Sequence, residues 1–368
     1  MKLQSMELQG FRCYESAFCV LDEGINVISG RNAQGKTSLL EAVYYLSGAR
    51  SFRTRTDKEL IRASSDSAAV RGNTVSAGRE QLIDIYMSRR ERKKIFVNGV
   101  KMKSAAALSG RFCCVLFSPD DLELVRGGAA ARRRYMDLAI SQLRPRYAEA
   151  LAEFHRLYEQ KTRILRDYRE RPDMMDVLDD FSLGMARCGA ELIRYRAAWC
   201  SRVSELAARC HRDISGRGEK LGFSYKTVSN IDDPLDLSQK ELLDALLLHQ
   251  ERHRTAEIEA GQCLSGAHKD DIVLEIDGMS AAKFASQGQV RTAALSMKLA
   301  EWEFSRSDLE QSPVLLLDDV LSELDAVRQD YVLNSIGGGQ VLITCCDSED
   351  IRKKTGGKVL RVENGGIR

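Results

Sequence analysis

The stretch ISGRNAQGKTSLLEA, residues 28–42, places two glycines, a lysine and a threonine where chemistry is possible. Gly30, Gly35, Lys36 and Thr37 fill G-x-x-x-x-G-K-[ST], the phosphate-loop spacing. Glycines let backbone N–H groups turn inward around an anion, the lysine reaches the β/γ-phosphates, and the threonine hydroxyl can bind Mg²⁺. The candidate nucleotide-binding residues are therefore Gly30, Arg31, Asn32, Ala33, Gln34, Gly35, Lys36, Thr37 and Ser38, with Lys36 also a catalytic candidate.

A second segment, VLLLDDVLSELD at 314–325, is an apolar strand ending in two acids. Asp318, at the carboxyl end of that strand, is expected to hold Mg²⁺ together with Thr37. Asp319 is expected to orient and deprotonate the attacking water. A third segment, ASQGQVRTAALSMKLAEWEF, opens a long helix just after Ser286, so a hydroxyl and free N–H groups stand at a positive helix end. Ser286, Gly288 and Gln289 form a candidate second anion site, with an ordinary helix cap at Ser286 as the competing reading. One chain has one phosphate loop, so a second anion site makes sense if it serves the nucleotide of a second copy.

The elements that must position these residues follow from hydrophobic periodicity. Ile25–Ile28 reads as a short buried strand and Thr37–Leu46 as a helix whose positive end faces the phosphates. Residues 1–118 carry an α/β pattern, with QLIDIYM and KKIFVNGVKMK alternating at period two around an Asn98-Gly99 turn. Residues 119–261 become helical: Tyr147, Leu151, Phe154, Tyr158, Leu165 and Tyr168 form a stripe closing at Pro172, with Lys161 in one slot. A second helix spans about 174–214, and the pair suggests an antiparallel hairpin standing off the α/β body, each partner packing as core. From 262 the α/β pattern returns, with DIVLEIDG, PVLLLDDV and QVLITCC as strands. The two ends of the chain are thus expected to form one domain, 1–118 with 262–368, interrupted by the helical insertion 119–261.

The 368 residues are 43% hydrophobic and 29% charged, ordinary values for a soluble globular protein, and leave room for two or three domains. The N-terminus lacks a signal-peptide core and no run reaches transmembrane length, so a cytoplasmic location without membrane partners is expected. Ten cysteines form no C-x-x-C pair; Cys113, Cys114, Cys345 and Cys346 lie in apolar runs and should pack as small hydrophobes. HQERH at 249–253 lacks the general base of H-E-x-x-H, which favours a solvated helix face over a metal site. Net charge is only +2, yet residues 126–171 hold twelve Lys/Arg against six Asp/Glu, and RRERKK at 89–94 is a second basic run. Arg132, Arg133, Arg134 and the 89–94 run are candidate phosphate-backbone contacts.

Taken in order, GRNAQGKTS, SQGQ and LLLDDVLSELD resemble the ATP-binding-cassette ATPases of the SMC class. GFRCY, SFRTRTDKELIR, VLFSPDDLELVRGG, RRRYMD and GAHKDD extend the likeness to the RecF family of bacterial recombination-repair proteins along nearly the whole chain. That resemblance implies an α/β fold, an ABC/SMC-type P-loop ATPase head with a helical insertion domain. It implies ATP and Mg²⁺ as cofactors, and slow, DNA-stimulated ATP hydrolysis acting as a switch. It also implies a homodimer formed on ATP, in which Ser286, Gly288 and Gln289 of one subunit close on the ATP held by the other, with Asp325 at the same seam. The implied partners are duplex and gapped or junction DNA and RecR- and RecO-type mediator proteins, in loading recombinase at single-strand gaps. Departures from the family pattern are Ala267 and Lys269 in GAHKDD, Ala129 after RGG, Val290 after SQGQ, and Cys345 near the place of a switch histidine. A small-molecule kinase would share the phosphate loop but has no need of SQGQ and SELD. A transporter ATPase subunit would carry a compact insert rather than a basic hairpin.

Overall fold

The computed structural model describes every residue except 169, 171, 217 and 230, and leaves out the side chains at 172, 323 and 350. Arg169 and Arg171, counted in the basic surplus, thus lie outside the described residues. The chain divides into two compact units, Met1–Asp121 with Lys298–Arg368, and Leu122–Met297.

The first unit is built on two six-stranded sheets. In one, Lys358–Glu363, Ile25–Ser29, Val341–Cys345, Val314–Leu317 and Cys114–Phe117 run parallel in that order, with Gly366–Ile367 antiparallel at the edge. The three strands Val314–Leu317, Val341–Cys345 and Cys114–Phe117 are buried at every position, as a parallel sheet covered on both faces requires. Strands from both ends of the sequence therefore share one sheet. The other sheet is an antiparallel meander of Tyr14–Val20, Lys2–Phe11, Ser67–Ser76, Arg79–Ser88, Lys94–Val97 and Val100–Lys101. Asn98 and Gly99 turn its hairpin with φ of 51° and 77°, the left-handed pair that such a tight turn needs. The helix Lys36–Gly48 joins the sheets: Leu39, Leu40, Val43 and Leu46 share a core with Leu8, Val70 and Ile83 of the meander and Leu316 and Leu342 of the parallel sheet. A Cβ on Gly72 would come within 2.4 Å of Leu46, so glycine there lets helix and sheet approach.

The second unit carries the helices Ala129–Leu143, Pro145–Asp167, Leu178–Ser215 and Gln239–Ala260. Pro145–Asp167 packs along Leu178–Ser215, and the apolar stripe faces inward. Lys161 sits in that stripe 1% exposed because Glu257 meets its ammonium at 2.7 Å, and Glu257 also accepts from the N–H groups of Leu264 and Ser265. A buried charge of this kind persists only when paired and hydrogen-bonded. The first hairpin helix has 23 residues, Pro145–Asp167, covering the stripe up to Leu165 and ending before the turn at Pro172–Val177.

The expected boundary at 261/262 does not coincide with this division. Asp271–Ile276 pairs along its whole length with Leu221–Lys226, and Met279–Ser280 completes a three-stranded sheet inside the helical unit. That pairing draws residues 262–297 away from the first unit, a consequence of partners some fifty residues apart that local pattern does not display. The helix Gln287–Leu309 begins in the second unit and ends in the first.

Candidate nucleotide-binding site

The phosphate loop connects the strand Ile25–Ser29 to the helix Lys36–Gly48. Two glycines have separate reasons to be there. A Cβ on Gly30 would lie 2.3 Å from the carbonyl oxygen of Val362, on the neighbouring parallel strand. Gly35 has φ of 118°, and a Cβ there would meet the Cys13 sulfur at 2.7 Å. Ala33 also takes a positive φ of 63°, so the loop is bent into an unusual path throughout. No side chain caps the helix at Gly35 and its first turn holds no acid, which leaves a positive helix end open to an anion.

Lys36 is 4% exposed, and its ammonium arches over the loop, donating to the carbonyls of Gly30 at 2.8 Å and Arg31 at 3.3 Å. Asn32 Oδ1 lies 3.5 Å and Cys346 Sγ 3.8 Å from the same nitrogen. Gln34 Oε1 accepts from the backbone N–H of Asn364 at 2.6 Å, tying the loop to the C-terminal turn. Ser38 lies within hydrogen-bond reach of Cys13.

Thr37 Oγ1 donates to Asp318 Oδ1 at 3.0 Å, and Thr344 Oγ1 donates to the same oxygen at 2.9 Å. Burial raises the Asp318 carboxyl above its ordinary value, against the lowering effect of the two hydroxyls. A hydroxyl and a buried carboxylate at this spacing are hard oxygen donors of the kind Mg²⁺ takes, so Thr37 and Asp318 fit that ion. Asp319 follows with φ of 54°, its N–H held at 2.8 Å by Thr344 Oγ1. A left-handed aspartate costs about 1 kcal/mol or more, and such residues cluster at functional sites. Its carboxylate adds to burial in pushing the Cys345 thiol up to about 11, with Lys36 opposing.

Three supports escape a sequence reading. Thr344 looks like a β-former in VLITC, yet register with Val314–Leu317 puts its hydroxyl between the two acids. Glu41 sits fully buried on the phosphate-loop helix, held by Arg12 through two bonds of 2.7 and 2.8 Å, by Arg53 at 3.5 Å and by Ser51. Cys346, expected to pack as a small hydrophobe, is exposed, because the strand ends at Cys345 and the next residue emerges beside the loop. A polar residue at the carboxyl end of an apolar strand was the available signal for Thr344.

The structure thus brings Gly30–Ser38, Asp318 and Asp319 together in the first unit. Ser286, Gly288 and Gln289 belong to the second. There Ser286 Oγ accepts from the Gln289 N–H at 3.3 Å while Gln289 Oε1 accepts from the Ser286 N–H at 2.9 Å, a reciprocal capping box. Among the described residues nothing lies within 4 Å of a Cβ built on Gly288, so none of them requires glycine there. Asp325 caps the helix Ala326–Ser335, accepting from the Arg328 N–H at 2.9 Å and pairing with its guanidinium.

The RecF/RecN/SMC N-terminal domain family matches residues 2–365. The DNA replication and repair protein RecF of Agathobacter rectalis is 36% identical over 353 residues, 96% of this chain and 94% of that protein. Its counterpart in Bacillus subtilis is 36% identical over 374 residues, covering both chains fully. This chain belongs to the RecF family. Among solved structures, the recombination mediator protein RecF-ATPrS in the RecFOR pathway superposes with a TM-score of 0.91 at 31% identity, over 100% of this chain and 97% of that one. The Smc head domain of Pyrococcus furiosus shares the fold, with a TM-score of 0.53 at 15% identity over 100% and 95% of the two chains. The SMC-type ATPase head fold expected from the sequence is therefore the fold of this RecF-family chain.

The basic run fares differently. Arg132 forms a two-bond pair with Asp271, both at 2.8 Å, and its side chain is 11% exposed. Arg133 donates to the Asp270 carbonyl at 2.7 Å. Both guanidinia hold the helix Ala129–Leu143 to the segment opening Asp271–Ile276, so they are structural here. Arg90 and Arg92 of the second run are exposed. His249, on the helix face expected to be solvated, is half-buried: its Nδ1 lies 2.6 Å from Ser265 Oγ and its ring stacks on His253.

Proposed function

We propose that this RecF-family protein is an ATP-dependent DNA-binding switch of recombinational repair, acting in the cytoplasm. The observation that carries the proposal is the convergence of Lys36, Thr37, Asp318 and Asp319 at the mouth of one open helix end. Lys36 turns from its own loop carbonyls to the phosphates, and the amides of Gly30–Ser38 receive the phosphate oxygens. Mg²⁺ held by Thr37 and Asp318 would supply charge neutralisation at the β- and γ-phosphates. Asp319, held by Thr344 at its N–H, orients water and accepts its proton.

Ser286, Gly288 and Gln289 serve the nucleotide of a second copy, so ATP closes a homodimer and hydrolysis loosens it. Two features support this reading: the unneeded glycine at 288, which leaves room for close approach, and the self-satisfied cap, which can exchange its partner for a phosphate. Duplex and gapped DNA is the substrate surface, RecR- and RecO-type mediators are the partners, and turnover is slow and raised by DNA. Since Arg132 and Arg133 are engaged internally, the phosphate-backbone contacts fall to other cations, Arg90 and Arg92 among them.

ATPase assays with and without duplex DNA test the proposal. A rate raised by DNA, with the rise falling steeply as salt increases, is expected. Phosphotransfer to a metabolite with no response to DNA would replace it with the kinase reading.

A further inference from the structure

The two basic concentrations of the sequence are used differently by the fold. In the helical stretch the cations are engaged inside the second unit: Lys161 holds Glu257, and Arg163 and Arg166 share Asp167, as Arg132 holds Asp271. In the run at 89–94 two cations act as clamps and leave others facing outward. Arg89 donates to the Ser65 carbonyl at 3.0 Å and to those of Ile61 and Arg62 at 3.4 and 3.3 Å. Lys93 donates to the Ala49 carbonyl, pairs with Asp57 at 3.0 Å and lies 5.5 Å over the centre of the Tyr45 ring. These bonds fasten residues 88–94 to residues 49–65, although the two segments are far apart in the chain. Arg50 adjoins one end of the Lys93–Ala49 bond and Arg92 the other, while Lys58 follows Asp57 and Arg90 follows Arg89. Arg55, Lys58, Arg90 and Arg92 are exposed, and among the described residues none meets their side chains in an ion pair or hydrogen bond.

We propose that residues 49–60 and 88–94 form one surface of the first unit that grips the phosphate backbone of duplex DNA, with Arg55, Lys58, Arg90 and Arg92 as its contacts. The inference rests on the DNA reading given above and assigns it a place. The two segments together hold nine Lys/Arg against three Asp/Glu, whereas the whole chain carries a net charge of only +2. Their acids do not neutralise the outward cations. Asp57 is taken by Lys93, Glu91 by Lys94 at 2.6 Å, and Glu59 accepts from Thr54 Oγ1 at 2.6 Å. A solvated face interleaves its charges; here internal bonds hold like charges together, at a cost in repulsion that a polyanion offsets.

The choice of duplex over single strand follows from what the segments lack. Single-strand surfaces pair basic residues with exposed rings on which bases stack. The one aromatic residue of the two segments, Phe52, is turned onto Tyr44, edge to face with ring centroids 5.5 Å apart. Cations on flexible stems without a stacking platform suit backbone phosphates, which position a protein on DNA without reading its sequence. Binding here is therefore indifferent to base sequence and steeply dependent on salt.

Full-length protein with ATP is titrated with a short fluorescent duplex and with one of its strands over a series of salt concentrations. Combining Arg55→Gln, Lys58→Gln, Arg90→Gln and Arg92→Gln should weaken duplex binding by about 100-fold or more and shrink the log–log salt slope by about three to four. Arg126→Gln with Arg146→Gln, two exposed positions of the second unit, should bind as wild type does. Wild-type protein supplies a check free of folding defects: duplex should protect Lys58 from acetylation and leave Lys240, in the acid-bearing stretch 232–240, exposed. Wild type that binds neither DNA would refute the DNA reading and the surface with it. Wild-type binding that the fourfold variant retains, no protection of Lys58, or an equal loss per charge in the Arg126/Arg146 variant would overturn the surface alone. Tighter binding of the single strand would overturn the duplex assignment.

Discussion

The phosphate loop and the start of the helix at Gln287 are both positive helix ends, yet they are built in opposite ways: the first is uncapped and the second is capped by Ser286 and Gln289. At the loop, four separated parts of the chain meet: Gly30–Ser38, Asp318 and Asp319, Thr344, and the C-terminal turn at Asn364. At Ser286–Gln289 the arrangement is mostly local: Ser286 and Gln289 satisfy each other, and Gln289 Nε2 also donates to Glu219 Oε1 at 3.2 Å. The first is a finished receptor whose geometry the fold dictates. The second is a local arrangement that gives up little when an anion replaces its side-chain partner. On the reading proposed above, the pre-formed site binds ATP in one subunit and the cap answers the ATP of another.

The largest way to separate the two is chemistry. Asp319→Asn keeps the left-handed turn but removes the proton acceptor, so ATP hydrolysis should fall by roughly 10²–10⁴-fold with ATP affinity unchanged. A variant that hydrolyses normally would remove Asp319 from the catalytic role. Next comes binding: Lys36→Ala should weaken ATP by about 10–100-fold, measured by calorimetry, while its circular dichroism matches wild type. Normal affinity in that variant would sink the phosphate-loop assignment.

Thr344→Val tests whether the site is held from outside its own motif. It removes one hydroxyl from Asp318 and the partner of the Asp319 N–H, and should cost roughly 1–3 kcal/mol in denaturant unfolding of the ATPase unit. Unchanged stability would mean that those two bonds are replaced by water. The smallest effect belongs to Ser286→Ala, which loses only a cap and should cost about 1 kcal/mol without touching ATP affinity in the isolated subunit.

What the sequence displays follows the same contrast. Sites whose residues are neighbours in the chain, Gly30–Ser38 and Ser286–Gln289, are legible because spacing alone specifies their geometry. The acids after Leu317 are legible because a buried apolar strand that runs into Asp318 must deliver that carboxylate to the carboxyl edge of its sheet. Contacts across long separations are not. Glu41 looks like a solvated helix residue until Arg12 arrives from 29 positions away. Arg132 looks like a DNA contact until Asp271, 139 positions on, claims it. The boundary at 261/262 fails for the same reason, since the partner of Asp271–Ile276 lies in the helical stretch. Cys346 differs from expectation by a single residue, because an apolar run does not show where its strand stops.

Whether the cap of one subunit completes the nucleotide site of another is decided by mixing two defective subunits. Lys36→Ala and Ser286→Arg proteins, each unable to pair with itself on ATP, are combined and followed by sedimentation and ATPase assay. A heterodimer of the two retains one intact pairing, the phosphate loop of the Ser286→Arg subunit with the cap of the Lys36→Ala subunit. Ser286→Arg alone should bind ATP as a monomer, and the mixture should dimerise on ATP and regain part of the hydrolysis. Normal ATP-driven dimerisation of Ser286→Arg by itself would contradict the shared site.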